Sequence, residues 1–322
     1  MTGAGVSTGR VVHTGQAIVD LVMEVAAVPA PGGDTFARRH DLAAGGGFNV
    51  MAAAARDGAE VRYAGAHGTG TFGDLVRAAM AAENIEVLSE PRAHQDTGFC
   101  VALVDDAAER TFVSTLGAEG DVSVDDYRAA QVRAGDVVYV TGYTLLHQAS
   151  REALLGWLLE LPGGVEVVVD PSPVVGEVPL DALRRVARSA TVWSTNEREA
   201  RILLARLGLG SPVGAAEQAC ALAQQLACSV VLRAGADGST VVRLDAPSGA
   251  LATAEHVAAH PVRAVDTNGA GDAHCGVLCA GLAAGLDLGA AVRRATVAAG
   301  LAVARRGPAT SPTRAEIDAA QG

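Results

Sequence analysis

The sequence contains no lysine, and all 25 basic residues among its 322 are arginines. This absence excludes a Walker-A lysine, a lysine that forms a Schiff base and a lysine general base. Any phosphate chemistry must therefore depend on backbone amides, arginine and metal ions. Aromatic residues make up only 3% of the chain, so few rings are available to stack on a flat ligand.

The chain is also poor in cysteine and in long apolar runs. Its five cysteines lack Cys-x-x-Cys spacing, which favours free thiols packed in a reducing cytoplasm over disulfides or a zinc site. The net charge of −11 argues against nucleic acid or an anionic membrane as a partner. No stretch approaches the ~20 apolar residues of a membrane span, and residues 1–10 lack the apolar core of a signal peptide. We therefore expect a cytoplasmic protein.

Short β-branched runs alternate with segments rich in Ala, Leu and Arg along most of the chain. This alternation predicts an α/β fold, in which helices cover both faces of a mostly parallel sheet. The predicted strands are residues 11–12, 17–22, 61–64, 137–140, 165–170, 191–194, 229–232 and 262–265. The predicted helices are residues 51–56, 72–82, 150–159, 180–189, 197–207, 215–227, 273–284 and 289–304.

Two segments interrupt the alternation. Residues 23–43 contain a Pro- and Gly-rich stretch, which disfavours a helix. Residues 97–116 hold two strand-like runs, 99–104 and 111–115, which predict a small antiparallel element outside the main sheet. This element could cover a ligand at the carboxyl ends of the parallel strands, or it could be an ordinary surface hairpin.

The most informative motif is Asp-Thr-Asn-Gly-Ala-Gly-Asp at residues 266–272, which an apolar helical run follows. Small residues let backbone N–H groups approach an anion, and the N-terminus of a helix adds positive potential. The carboxylate of Asp272 could take a proton from an attacking hydroxyl, as phosphoryl transfer to an alcohol requires. Alternatively, the motif is a glycine-rich turn in which Asp272 satisfies free helix amides.

A second glycine cluster, Gly45, Gly46 and Gly47, stands just before Asn49 at the start of a predicted helix. Consecutive glycines let the backbone come within hydrogen-bonding range of a ligand, and the asparagine offers a donor and an acceptor to hydroxyl groups. The alternative is a flexible loop with an asparagine cap.

Asn196 and Glu199 lie three residues apart at a predicted strand-to-helix junction. They could organise waters around Mg²⁺, which keeps most of its waters and takes few protein ligands. A helix capping box explains the same two residues without a metal, and both interpretations can hold together.

Two further features have a local explanation as well as a functional one. The sequence Arg-Ala-Gly-Ala-Asp-Gly at residues 233–238 is typical of a hairpin turn. Asp20 closes an early strand, where an acidic residue could bind vicinal sugar hydroxyls or simply occupy a surface turn.

In their order and separation, these clusters resemble the PfkB (ribokinase-like) carbohydrate kinase family over about residues 11–317. Residues 266–272 match its C-terminal signature, and residues 45–49 with later glycines match its N-terminal signature. The resemblance implies a single kinase domain over residues 1–322 with the ribokinase-like α/β/α sandwich. It also implies a small β lid formed by residues of about 21–43 and 97–118.

The resemblance assigns roles to the motifs. Asp272 would be the general base for attack on the γ-phosphate of ATP, and the amides of Gly269, Ala270 and Gly271 would form the anion hole. Glu199 would help to hold Mg²⁺ through water. The implied substrate-binding positions are Asp20, Gly45, Gly46, Gly47, Asn49 and Asp272. The implied nucleotide-binding positions are Asn196, Glu199, Arg233, Gly235, Gly238, Gly271 and Thr296.

A monovalent-cation site is implied as well, so we expect stimulation by K⁺. Its matching positions are Asp266, Asn268, Ala302, Arg305, Gly307 and Ser311. A homodimer through the lid strands is a further expectation, because a small sheet has edges and apolar faces to cover.

The acceptor is less well defined than the chemistry. The resemblance favours a primary hydroxyl of a sugar or sugar-like alcohol, but Ile18, Gly46 and Tyr143 depart from ribokinases at substrate-facing positions. Arg110 in the lid could bind an acidic substrate or be merely solvent-exposed. The alternatives are a nucleoside kinase of the same fold, which the low aromatic content disfavours, and a non-catalytic sugar-binding regulator, which the intact Asp272 disfavours.

Overall fold

The computed structural model describes residues 9–107, 109–245, 249–251, 253–307 and 309–322. Residues 1–8, in the segment compared with a signal peptide, and Pro308, in the closing loop, lie outside the described residues. The strands are β1 (Arg10–His13), β2 (Ala17–Glu24), β3 (Arg39–Gly46), β4 (Glu60–Tyr63), β5 (Glu86–Val87), β6 (Phe99–Val104), β7 (Arg110–Ser114), β8 (Val137–Thr141), β9 (Glu166–Asp170), β10 (Val192–Asn196), β11 (Ser229–Arg233), β12 (Ser239–Val242), β13 (Leu244–Asp245), β14 (Ala250–Leu251) and β15 (Glu255–Val257).

Helices follow most of the strands. They are α1 (Gly47–Arg56), α2 (Thr71–Ala82), α3 (Val124–Arg128), α4 (Gly142–Leu146), α5 (Gln148–Trp157), α6 (Leu180–Ala187), α7 (Glu197–Leu207), α8 (Ala215–Leu226), α9 (Ala270–Ala283), α10 (Leu288–Val303) and α11 (Arg314–Gln321). Within the described residues, none of these helices has the length and apolar character needed to cross a membrane.

The main sheet has the strand order β15-β12-β11-β10-β9-β8-β1-β4-β5. From β11 to β5 every neighbouring pair is parallel, whereas β12 pairs antiparallel with both β11 and β15. Because the strands are parallel, their carboxyl ends meet at one edge of the sheet, where open α/β folds bind ligands.

Two apolar cores cover the two faces of this sheet, as the alternation of side chains along a buried strand requires. In β8, Val138 and Val140 join the core formed with α5 to α8, and Val137 and Tyr139 join the core formed with α1, α2, α9 and α10. The predicted three-layer α/β/α architecture is therefore confirmed.

A second sheet has the order β3-β2-β6-β7. β2 pairs antiparallel with β3 and parallel with β6, and β6 pairs antiparallel with β7. The predicted strand at 17–22 belongs to this sheet, which extends back to Ala17 and forward to Gly46 beyond the predicted segment 21–43.

The predicted strand at residues 262–265 is wrong, because this segment forms no strand. Val265 is exposed, and its amide, like that of Asp266, donates to the carbonyl of Val303 at the end of α10, at 2.7 and 3.1 Å. The β-branched residues favour a strand, but the backbone of this segment is hydrogen-bonded to the end of a helix instead of to a neighbouring strand.

Candidate active site

Four polar residues meet at the carboxyl edge of the main sheet. Asp170, Asn196 and Arg233 are the last residues of β9, β10 and β11, and Asn196 is directly opposite Arg233 in the strand register. Asp272 lies in the first turn of α9. Parallel topology thus brings together side chains from four separate parts of the sequence.

Asp272 does not cap its helix. α9 starts after Gly269, whose φ is +75°, and no side chain of the described residues caps this N-terminus. Oδ2 of Asp272 instead accepts a hydrogen bond from Nδ2 of Asn49 at 3.0 Å. Burial, assisted by the negative charge of Asp170, raises the pKa of Asp272 to about 6, while the bond from Asn49 and the charge of Arg233 act in the opposite direction. The capping alternative for Asp272 is therefore excluded.

The second glycine cluster lies between Asp20 and Asn49. Gly45 is opposite Ile18 in the β2–β3 pair, and a methyl group on Gly45 would overlap the carboxylate of Asp20. Burial and repulsion from Asp272 raise the pKa of Asp20 to about 6. Asn49 is only 6% exposed, and its Oδ1 has no hydrogen-bond partner among the described residues. The chain thus places an acceptor oxygen and a carboxylate beside Asp272.

Residues Asn196 and Glu199 form the capping box of α7. The amide of Glu199 donates to Oδ1 of Asn196 at 2.9 Å, and the amide of Asn196 donates to Oε2 of Glu199 at 2.9 Å. Burial and the charge of Asp170 raise the pKa of Glu199. The capping interpretation is confirmed. Among the described residues, no group of three or more His, Cys, Asp or Glu side chains is placed to hold a metal ion.

Arg233 has its guanidinium buried beneath the first turn of α9. Nη2 donates to Oδ2 of Asp170 at 3.0 Å and lies 3.6 Å from Oε2 of Glu199. Nη1 donates to the carbonyl of Gly271 at 3.2 Å and to Sγ of Cys275 at 3.1 Å. One cation therefore contacts two carboxylates, a thiol and the backbone of the Gly-Ala-Gly loop.

A cleft of about 320 Å³ opens beside Arg233 and is lined by Asn196, Arg198, Arg201 and Gly235, among others. The loop after β11 forms the predicted hairpin, since β11 and β12 pair antiparallel. Gly238 has a φ of +85°, and a side chain there would overlap the carbonyl of Val257. On α10, the Oγ1 atom of Thr296 is buried and has no hydrogen-bond partner in the described part of the chain.

Asp266 organises the predicted cation loop. Oδ1 accepts from the amide of Asn268 at 2.9 Å and from Arg110 at 2.6 Å, and Oδ2 accepts from the amide of Gly307 at 3.1 Å. Burial alone would raise the pKa of Asp266, but these donors hold it below its usual value. Arg110 of the second sheet is thus bound to this loop rather than free in solvent.

The other predicted cation positions lie at the end of α10 and in the segment that follows it. The hydroxyl of Thr310 is within hydrogen-bonding distance of the carbonyls of Ala302 and Gly307, each at 3.2 Å, and the amide of Arg305 also donates to the carbonyl of Ala302. The Oγ atom of Ser311 is buried and has no partner among the described residues.

Comparison with known proteins identifies the family. Residues 8–315 match the family described as "pfkB family carbohydrate kinase". The chain belongs to the PfkB family. As a member, it is an ATP-dependent carbohydrate kinase, that is, a phosphotransferase with an alcohol group as acceptor.

Individual relatives and solved structures agree with this family. The chain is 32% identical over 308 residues to the uncharacterised sugar kinase YegV of Escherichia coli K12, which covers 95% of this chain and 92% of the relative. The ribokinase structure from Thermotoga maritima matches with a TM-score of 0.81 at 21% identity, over 98% of this chain and 99% of that one. The aminoimidazole riboside kinase from Salmonella enterica, solved with aminoimidazole riboside and an ATP analogue, matches with a TM-score of 0.76 at 23% identity, over 97% and 100%.

Two residues of this candidate site were not predicted from the sequence. Asp170 ends a buried Val-rich strand, the position that was predicted for Asp20, whereas Asp20 itself lies in the middle of β2. Cys275 was predicted only to pack, but its thiol lies 3.3 Å from Oδ2 of Asp170 as well as against Arg233. The link between these residues depends on strand order and on the docking of α9, which no local pattern reveals.

Proposed function

We propose that this kinase transfers the γ-phosphate of ATP to a primary hydroxyl of a sugar or sugar-like alcohol, with Asp272 as general base. The observation that carries the proposal is the Asn49–Asp272 hydrogen bond beside the uncapped start of α9. It joins an acceptor-side residue, a carboxylate and the first-turn amides of α9 in one place.

The general base needs a pKa near the working pH. With a pKa of about 6, Asp272 is largely ionised at neutral pH and still basic enough to accept a hydroxyl proton. As the hydroxyl oxygen attacks phosphorus, its proton passes to the Asp272 carboxylate.

The amides of Gly269, Ala270 and Gly271 form the anion hole in this proposal. First-turn amides of a helix have no intrahelical acceptor, and within the described residues no side chain caps α9, although the Ala270 amide makes a long hydrogen bond of 3.4 Å to the Thr267 carbonyl. Such preorganised donors stabilise negative charge that develops on the transferred phosphate.

The acceptor would lie against Asp20, Asn49 and the backbone of Gly45, Gly46 and Gly47. The unpartnered Oδ1 of Asn49 and the Asp20 carboxylate both accept hydrogen bonds. Hydroxyl groups supply the matching donors, and the two carboxylates Asp20 and Asp272 disfavour an anionic acceptor.

ATP would lie along the cleft beside Arg233, with Gly235, Gly238, Gly271 and Thr296 as contacts. Mg²⁺ neutralises phosphate charge in such reactions. Asn196 and Glu199 would orient its waters rather than ligate it directly, because the Glu199 oxygens are already bonded within the capping box. K⁺ would bind among Asp266, Asn268, Ala302, Arg305, Gly307 and Ser311, where the Ser311 hydroxyl has no partner within the part of the chain that the structure describes.

The whole chain would act as one kinase domain whose second sheet is the lid, with about residues 21–43 and 97–118 as its core. Phe112 and Val113 on β7 are exposed, at 59% and 64%. These apolar side chains would suit a homodimer through the lid. The cytoplasm, where ATP is supplied, is the expected location.

A nucleoside acceptor is the second candidate. The similarity in fold to aminoimidazole riboside kinase favours it, as does the aromatic ring of Tyr143, whose pKa is raised by burial and by the nearby charge of Asp272.

An acceptor screen tests the proposal. ADP release would be measured with MgATP and pentoses, hexoses, sugar alcohols, their phosphates, sugar acids and nucleosides. Turnover of a neutral sugar or polyol supports the main proposal, and turnover of nucleosides alone supports the second candidate. The absence of ADP release with all of them would contradict the proposal.

A further inference from the structure

The Arg233 side chain is an unusual element of the site because it is a buried cation surrounded by anions. Its side chain is 12% exposed, and those of Asp170 and Glu199 are 11% and 3% exposed. A buried carboxylate needs a partner because leaving it unpaired is strongly destabilising. Within the described residues, Arg233 is the cation that the structure places against both carboxylates.

The same guanidinium also reaches the backbone of the anion hole. Nη1 donates to the Gly271 carbonyl, while Nη2 donates to Asp170. A planar guanidinium can bind two acceptors at a fixed angle, which an ammonium group cannot do as rigidly. The start of α9 is thereby connected to the ends of β9 and β11.

We propose that Arg233 is a positioning residue for nucleotide binding, one that acts through its neighbours and needs no direct phosphate contact. By holding the Gly271 carbonyl it fixes the orientation of the first-turn amides. By offsetting Asp170 and Glu199 it removes the repulsion that two carboxylates would exert on a polyphosphate. This inference rests on the proposed function, since it takes the anion hole to be the phosphate site.

The test measures binding of MgADP by calorimetry and thermal unfolding, neither of which needs the acceptor. Arg233→Met should weaken MgADP binding at least about tenfold, a loss typical of uncompensated buried charge. Arg233→Lys keeps the charge but loses the planar guanidinium that binds two acceptors at a fixed angle, so it should weaken MgADP binding by a smaller factor. The double variant R233M/D170N should recover part of the loss, because one unpaired carboxylate has been removed.

The Arg10–Asp136 pair supplies a matched control. Its side chains are 7% and 0% exposed with an N–O distance of 2.5 Å, and it lies at the opposite, amino-terminal edge of the sheet. Arg10→Met should lower the unfolding temperature yet leave MgADP affinity unchanged.

In steady-state assays, R233M should raise KM for ATP more than KM for the acceptor.

Several outcomes would overturn the inference. Folded R233M with wild-type MgADP affinity would do so, as would equal weakening by R10M or the absence of any recovery in R233M/D170N. If R233M does not fold, wild-type affinity in R233K has the same meaning. A wild-type protein that binds MgADP but phosphorylates no acceptor would contradict the proposed function. In that case the MgADP affinities of the variants alone would decide the inference on Arg233.

Discussion

At the scale of single residues, the proposed chemistry depends on how the surroundings of Asp272 set its basicity. Burial favours the neutral carboxyl, and the hydrogen bond from Asn49 favours the charged carboxylate. The resulting pKa of about 6 means that the base becomes protonated as the pH falls through this value, and kcat/KM should fall with it.

Replacement of Asn49 gives a directional prediction. Asn49→Leu removes the donor that stabilises the carboxylate, so the pKa of Asp272 should rise and the acid limb of the kcat/KM profile should move to higher pH. The acceptor KM should also rise, since the amide oxygen is lost. Rates measured between about pH 5 and 8 check both effects.

Asp20 needs a control because its pKa is also raised to about 6 and it faces the same site from the second sheet. The other titratable groups near the base are Asp170, Arg233, Tyr139 and Tyr143. In Asp20→Asn the acid limb should persist. If it disappeared there, the limb would belong to Asp20 and the assignment to Asp272 would be contradicted.

The residue types of the site could be predicted from sequence, but their contacts could not. Residues 49 and 272 each stand in a recognisable motif, yet the bond between them spans 223 positions. Asp170 was missed for the same reason, since its role depends on the alignment of β9 with β10 and β11.

At the scale of elements, the pairing of β2 with β3 creates the proposed acceptor side of the site. Asp20 and Gly45 lie on adjacent strands, so the carboxylate occupies the space that a side chain on residue 45 would need. Residue 45 must therefore be glycine, because the Asp20 carboxylate lies too close to its backbone to leave room for a side chain.

Substitution of this glycine tests the arrangement. Gly45→Ala should displace the Asp20 carboxylate and raise the acceptor KM about tenfold, because overpacking costs roughly 1–3 kcal/mol. The KM for ATP should change little. Steady-state kinetics with each substrate varied in turn would measure both.

Gly156 in α5 is the matched control, because a methyl group there would meet nothing within 4 Å. Gly156→Ala should leave both KM values unchanged. An acceptor KM in G45A equal to that of the wild type would exclude Asp20 from acceptor binding.

Element boundaries followed the sequence closely where one face of an element is apolar, as in α7, which was predicted at 197–207 and observed at Glu197–Leu207. The prediction failed at 262–265, where β-branched residues occupy an irregular segment. Local propensity is overridden there by the hydrogen bonds to Val303.

At the scale of the whole molecule, Asp266 connects parts that are distant in the sequence. It joins Arg110 of the second sheet, the loop before α9 and the loop after α10. The alternation of strands and helices predicts the layers, but only the folded chain shows that these three parts meet at one carboxylate.

This loop carries the prediction for the monovalent cation. The rate in K⁺ buffer should exceed the rate in choline buffer of equal ionic strength, and Ser311→Ala should reduce the difference. Initial rates with saturating MgATP would measure it. Equal rates in the two buffers would contradict the proposed monovalent-cation site.

The central claim is that Asp272 takes the proton of the acceptor hydroxyl, and Asp272→Asn tests it most directly. With the acceptor that the screen identifies, D272N should turn over about 10²- to 10⁴-fold more slowly than the wild type, the usual contribution of a general base. Its MgADP affinity, measured by calorimetry, should stay close to that of the wild type. Wild-type turnover in D272N would contradict the account.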